Sequence, residues 1–394
     1  PGQLLGSQND MATIRLEYRN FMTRQFTPKK AQISIAAFVM LLICALLFRS
    51  AEISSGISHA IDLCLYTVFP SLFGMMILSN LILDSQIFHW LLRPFSGIAR
   101  YIFRVSDHLT VVLLLSFIGG YPVGAKLLNE LCKSGKLSTD EAERLLCFCV
   151  NAGPAFIVSA VSVPVFHNTM VGFLVLASHL LSNLVLGFIS GIKKPIPPKL
   201  VAQNSSSEKP FSVRMVNSVN SAVRAMCVVC AFIITFSVLL TLIQLSGVKE
   251  TMIHILSSFI PPQDASALVT GIFEVTQGCM FISGNTEFSV LLFTGITAWG
   301  GLCVHLQLSA LLTESGIKMK RFFLWRIPHI LLSVIFCKLL LACFSPVLAT
   351  FAAGDSIQYE VGSKSPFVSL FLILLCVILL FTARKSGTIN KKHV

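Results

Sequence analysis

The stretch Phe117-Ile-Gly-Gly-Tyr-Pro-Val-Gly-Ala-Lys126 sets a pair of glycines, a proline, a further glycine and a lysine inside an otherwise apolar run. In lipid every backbone N–H and C=O must find a partner, so a broken helix persists at membrane depth only where protein or water surrounds it. The break therefore faces inward, and helix breakers combined with one cation suggest a transport site.

Around this stretch the chain is 54% hydrophobic and 12% charged over 394 residues. Several apolar runs are long enough to cross a hydrocarbon core roughly 30 Å thick. They predict an all-α polytopic membrane protein with about eight transmembrane helices and two re-entrant hairpins. The spans are expected near 33–48, 57–83, 142–165, 168–191, 214–246, 287–313, 328–350 and 366–383. The hairpins are expected at 109–133, broken by Gly119, Gly120, Pro122 and Gly124, and at 264–282, broken by Gly271 and Gly278.

The formal net charge of +12 does not point to nucleic acid, because the basic residues sit in short loops with no aromatic-interleaved basic domain. The positive-inside rule accounts for them. The cluster Arg15 to Lys30, then Arg93 to Arg104, Lys133 to Arg144, Lys193 to Arg214, and Lys318, Lys320, Arg321 and Arg326 are all assigned to the cytoplasmic side. Loops 49–56, 166–167, 247–263 and 351–365 then lie outside, and both termini inside. No cleavable secretory signal is expected, and Pro1 to Asp10 precede a plausible initiator, Met11. The twelve cysteines are mostly within apolar segments, and Cys227-Val-Val-Cys230 lacks the second ligand pair of a zinc site. Neither a metal nor a cofactor is expected. With no Gly-x-Ser-x-Gly elbow and no His-Glu-x-x-His, neither is an enzyme.

The order span, hairpin, interrupted span, span describes 57–191 and again 214–350, with the orientation reversed by the odd span between them. This predicts an inverted repeat whose discontinuous helices share one central site. Around the repeats lie a cytoplasmic extension at 1–32, the first span and its loop at 33–56, and a Pro- and Ser-rich cytoplasmic linker at 192–213. An external loop, the last span and a basic tail fill 351–394.

The candidate substrate-binding residues gather at the four interruptions. In the first are Gly120, Tyr121, Pro122, Gly124 and Lys126. Lys126 could hold an anion together with free N–H groups near Val123 and Gly124, or could snorkel to the cytoplasmic rim or pair with Glu130 four residues on. Asn151 and Gly153 mark the second, where Pro154 removes a donor and Asn151 can bridge the freed carbonyls. In the third, Glu274, together with Thr276 and Gln277, could bind a coupling cation, exchange a proton or accept from the opposing broken helix, or could be a neutral or paired structural residue. In the fourth, Trp299 could stack on a planar ligand while Gly300 breaks the helix and His305 donates one turn on, although a Trp and a His on an apolar helix also serve as packing.

Phe69-Pro-Ser-Leu-Phe73, Gly120-Tyr-Pro-Val-Gly-Ala-Lys126, the polar stretch Gly135 to Leu146 and Asn151-Ala-Gly-Pro154 together resemble the YlbJ-type family of sporulation integral membrane proteins. The resemblance covers about residues 55–345. It departs at Val150 and Gly153, where the family pattern has asparagine and serine, which leaves the first half's ligand contact open. It implies a nucleoside-recognition gate architecture, related in outline to concentrative nucleoside transporters, in the cell membrane or outer forespore membrane of a spore-former. It also implies a role in moving dipicolinic acid towards the forespore. A small planar dianion suits opposed half-helix N-termini, a lysine and an aromatic face. A nucleoside or other metabolite on the same fold, and a non-transporting scaffold, are the alternatives. The partners to expect are the substrate, the lipid bilayer and a coupling ion, proton or sodium. A homo-oligomer is open.

Overall fold

Helix starts in this chain are written in its capping residues. Ser138 accepts from the Glu141 N–H, Asn168 from the Met170 N–H and Thr286 from the Ser289 N–H, each satisfying a donor that the first helical turn would leave orphaned. Where no cap is present, proline opens the helix, as Pro122 and Pro262 do.

The computed structural model describes residues 40, 43, 44, 47–83, 93–197, 210–283 and 286–352. The expected first span, most of the linker, and the last span with its basic tail lie wholly or largely outside the described residues. The chain divides into two units, 1–56 and 57–394. In the first, Arg49 pairs with Glu52 on one helical turn.

Helix α1 (Ser50–Leu63) continues through a π-turn, Cys64–Val68, into α2 (Phe69–Leu83). A short helix, α3 (Arg93–Ile102), precedes two broken pairs. In the first pair α4 (Thr110–Gly119) and α5 (Tyr121–Lys133) meet at Gly120. In the second, α6 (Thr139–Cys149) and a π-rich helix α7 (Ala155–Phe166) are separated by an extended segment at Val150. The long α8 (Thr169–Gly191) follows.

The same order then recurs. Long α9 (Phe211–Leu245) and short α10 (Val248–Leu256) lead to α11 (Pro262–Phe273) and α12 (Val275–Met280), broken at Glu274. Next come α13 (Glu287–Trp299) and α14 (Gly301–Leu312), broken at Gly300, and finally long α15 (Lys320–Ala352).

Among the described residues five helical stretches are long and apolar enough to cross a membrane: Ser50–Ile82, Thr169–Gly191, Phe211–Leu245, Glu287–Ser315 and Lys320–Phe344. The protein is a helical membrane protein. Helix α15 shows why in one element. Leu324, Ile327, Leu331, Ile335 and Leu339 form an outer stripe, each more than half exposed, while Arg326, His329, Ser333 and Cys337 on the opposite face are fully buried. A water-soluble helix would turn the other way, with its apolar stripe inward.

One expectation is corrected here. Arg326 does not belong to the cytoplasmic flank with Lys318, Lys320 and Arg321; α15 begins at Lys320, and Arg326 lies nearly two turns inside it at 0% exposure. At the rim, exposed pairs join Lys133 to Glu314 and Asp140 to Lys194 and Arg321. Such pairs contribute little individually, about 0–1 kcal/mol each.

Candidate functional site

Breaking a helix exposes carbonyls at one new end and N–H groups at the other, and all must be satisfied away from water. Here the breaks satisfy each other. Gly120, at φ 78°, takes a backbone conformation that strains any residue with a Cβ. It also lies so close to Gly153 that a Cβ at Gly120 would stand 3.0 Å from the Gly153 nitrogen. In the second half a Cβ at Gly301, at φ 74°, would stand 2.9 Å from the Val275 nitrogen. Each broken pair therefore crosses its neighbour backbone to backbone.

The carbonyl ends have named partners. Asn151 Nδ2 donates to the Phe148 oxygen at 3.1 Å, which closes part of the end of α6. Arg326 donates to the oxygens of Cys147 and Val150 at 3.3 and 3.1 Å, and to that of Ala298 at 3.3 Å, so one guanidinium serves the ends of α6 and α13 together. Its positive charge stands where two helix dipoles are negative. At α13 the Gly300 N–H donates to Ile296, the Tyr121 hydroxyl to Thr297, and His329 Nδ1 joins Arg326 at Ala298. The Trp299 indole donates to the Ile272 oxygen at 3.0 Å near the end of α11.

The N–H ends differ. Glu274, 1% exposed, closes α12: its two oxygens accept from the Thr276 and Gln277 N–H groups at 3.0 and 2.6 Å. At α5 no side chain caps the N-terminus, and Gly120 stands in the cap position.

A cavity lies where the crossings meet. On the measure by which one water needs about 10–15 Å³, it encloses about 50 Å³, room for roughly three or four waters. Gly120, Tyr121, Pro122, Gly153, Glu274 and Thr276, all singled out from sequence, line it. Apolar side chains such as Val68, Leu72, Phe156 and Ile233 supply most of the remaining wall.

The other candidates lie elsewhere. Gly124 is a packing position, where a Cβ would meet Ser116 and Val150 at 3.0 Å. Its N–H is not free for an anion, because it donates to the Gly120 oxygen at 3.3 Å. Lys126 faces a second, smaller cavity and is held by Asn80, Ser221 and, at 3.8 Å, Glu130. Asn151 and Gln277 are buried behind the central wall. Trp299 and His305 pack on each other with ring centroids 4.4 Å apart, and His305 stacks on Phe323 at 4.7 Å while its Nδ1 donates to Gly301. They form a packed aromatic group beside Gly300.

Sequence reading missed Arg326, whose signal was a cation two turns into an apolar helix. It also missed Gln307, a buried amide that lines both cavities.

Comparison with known proteins gives one finding. The chain is 31% identical over 337 residues to Sporulation integral membrane protein YlbJ of Bacillus subtilis (strain 168), an alignment that spans 78% of this chain and 82% of the relative. No family model and no solved structure matches it. At this identity and coverage the chain belongs to the YlbJ family of sporulation integral membrane proteins.

Proposed function

We propose that this member of the YlbJ family is a transporter, not an enzyme, and that it moves a small organic anion, with dipicolinate the foremost substrate. The observation that carries the reading is the convergence of three of the four helix breaks, at Gly120, Gly153 and Glu274, on one cavity, where the N-terminus of α5 opens without a side-chain cap. A helix N-terminus collects N–H donors and positive dipole charge, and discontinuous helices meeting at such a point are a recurring transporter design.

In this reading residues 57–191 and 214–350 are inverted repeats, and the pairs α4–α5 and α11–α12 are re-entrant hairpins. The recurring order of long, short, broken, broken and long helices supports it. The anion site comprises the α5 N-terminus at Gly120, Tyr121 and Pro122, with Gly153 opposite. A cavity of a few water volumes is too small for a pyridine dicarboxylate, so the two halves part to admit it, as alternating access requires. A coupling ion, proton or sodium, completes the cycle.

The test is uptake by purified protein in proteoliposomes, comparing dipicolinate with nucleosides. Dipicolinate should accumulate in preference. Preferred uptake of a nucleoside would reassign the substrate on the same fold, and no uptake of either by folded protein would favour a non-transporting scaffold.

A further inference from the structure

The second cavity shares Pro122, Val229 and Gln307 with the first, so these three residues stand between the two, and Gln307 is the polar one among them. It encloses about 20 Å³, space for a single water, and Lys126 and Gln307 are the polar groups on its wall. Beyond Lys126 the polar lining continues. The ammonium donates to Asn80 on α2 and Ser221 on α9 and pairs with Glu130, which is 57% exposed at the rim. On the same three helices, α2, α5 and α9, the Ser79 and Ser218 hydroxyls and the Asn129 side-chain oxygen are buried with no protein partner among the described residues. Ser79 adjoins Asn80, Ser218 stands one turn before Ser221 with its carbonyl accepting from Asn80 Nδ2 at 3.5 Å, and Asn129 lies one turn beyond Lys126.

Buried polar atoms without partners are destabilising, and inside a membrane protein they persist where water reaches them. Three such atoms, a lysine and an exposed carboxylate along the seam of α2, α5 and α9 describe a wet line leading to the smaller cavity. Gln307 on α14 stands at its inner end. Among the described residues its side chain has a weak partner, with Nε2 donating to the Cys303 sulfur at 3.3 Å. That amide can re-aim at little cost.

We propose that the two cavities are compartments of one aqueous route, running from the central cavity past Gln307 and Lys126 to the rim at Glu130, with Gln307 as its partition. A ligand carboxylate passing along it takes the place of Glu130 at Lys126 and receives the Gln307 amide as a donor. The water route stands on the geometry alone, whereas its use by an anion rests on the transport reading above.

The experiment is cysteine accessibility in unsealed membrane fragments, with modified sites mapped by mass spectrometry in the otherwise native chain. The probes are two charged thiol reagents, 2-sulfonatoethyl and 2-(trimethylammonium)ethyl methanethiosulfonate. Gln307→Cys is compared with Leu306→Cys. In the structure Leu306 is 53% exposed and Gln307 is 5% exposed, so exposure of the isolated protein predicts faster modification at 306. The route predicts the reverse, about tenfold faster at 307, because Leu306 faces lipid that excludes a charged reagent.

Equal or slower reaction at 307 overturns the route. If Gln307→Cys does not fold, Leu311→Cys on the same wall carries the same expectation. The added substitution Lys126→Gln should slow the anionic reagent several-fold more than the cationic one, and an unchanged ratio removes Lys126 from the route. Labelling at 307 in a protein that transports neither dipicolinate nor nucleoside would leave the route standing and refute the transport reading instead.

Discussion

In the first crossing Gly120 and Gly153 meet as bare backbone, and the α5 N-terminus beside them has no side chain over it. In the second, Gly301 meets Val275 just as closely, but the N-terminus beside it is filled by the carboxylate of Glu274. The two similar frameworks thus differ at these N–H ends: a side-chain carboxyl closes α12, and no side chain closes α5. In the transport reading proposed above, this asymmetry leaves the α5 N-terminus for the ligand's charged group and gives Glu274 the task of a cap.

The largest expected effect falls on the element both crossings share. Arg326→Met removes the donor group from three buried carbonyls and should lower stability by about 3–5 kcal/mol, read as the thermal midpoint in nanodiscs. Wild-type stability in this variant would show that the crossings do not depend on the guanidinium.

Next comes the cap. Glu274→Ala leaves two buried N–H groups without an acceptor and should cost about 2–4 kcal/mol. Glu274→Gln keeps an oxygen for one of them and should cost about 1 kcal/mol, with the pH profile of uptake unmoved. A flattened pH profile in the glutamine variant would make Glu274 a proton carrier and erase the contrast between the crossings.

The glycines test the shared framework. Gly120→Ala and Gly301→Ala each put a Cβ about 3 Å from a neighbouring backbone nitrogen at positive φ, and each should lose roughly 1–3 kcal/mol. Their losses should match within about 0.5 kcal/mol, although the first alone alters the anion site. A large loss at one and none at the other would show that the two frameworks are not equivalent.

Lys126→Gln should change stability least, by under about 1 kcal/mol, because the lysine is partly exposed. Dipicolinate affinity, measured by titration calorimetry, should fall about fivefold. Unchanged affinity would confine Lys126 to its pairing with Glu130.

Breakers were legible in the sequence because each carries its conformational reason in its own residue type. Gly120 and Pro122, Asn151 to Pro154, and Gly300 all stand where the backbone leaves the helix. The third break was bracketed by Gly271 and Gly278 but falls on Glu274, since those two glycines serve close approach of α11 and α12, where a Cβ at Gly278 would stand 2.3 Å from the Gly271 Cα. What sequence could not show was which carbonyls each polar side chain serves. Arg326 read as a loop cation because its neighbours at 318, 320 and 321 are loop or rim cations. Its acceptors at Cys147 and Val150 lie far earlier in the chain, a pairing no local pattern encodes. The Trp299 indole likewise has a partner that no local pattern encodes, the Ile272 oxygen, while His305 Nδ1 donates one turn back to the Gly301 oxygen.

Arg326 also bears on the order in which this protein can be made. A helix entering the bilayer alone with an arginine nearly two turns from its end faces a penalty that reaches about 3 kcal/mol at the centre of a span. The carbonyls that relieve it at Cys147, Val150 and Ala298 are all synthesised before α15 emerges. The earlier helices, with their open ends already formed, are thus the receptor for the later one. A nascent chain halted before Lys320 would keep those ends unfilled and present itself to membrane quality control as an unfinished protein.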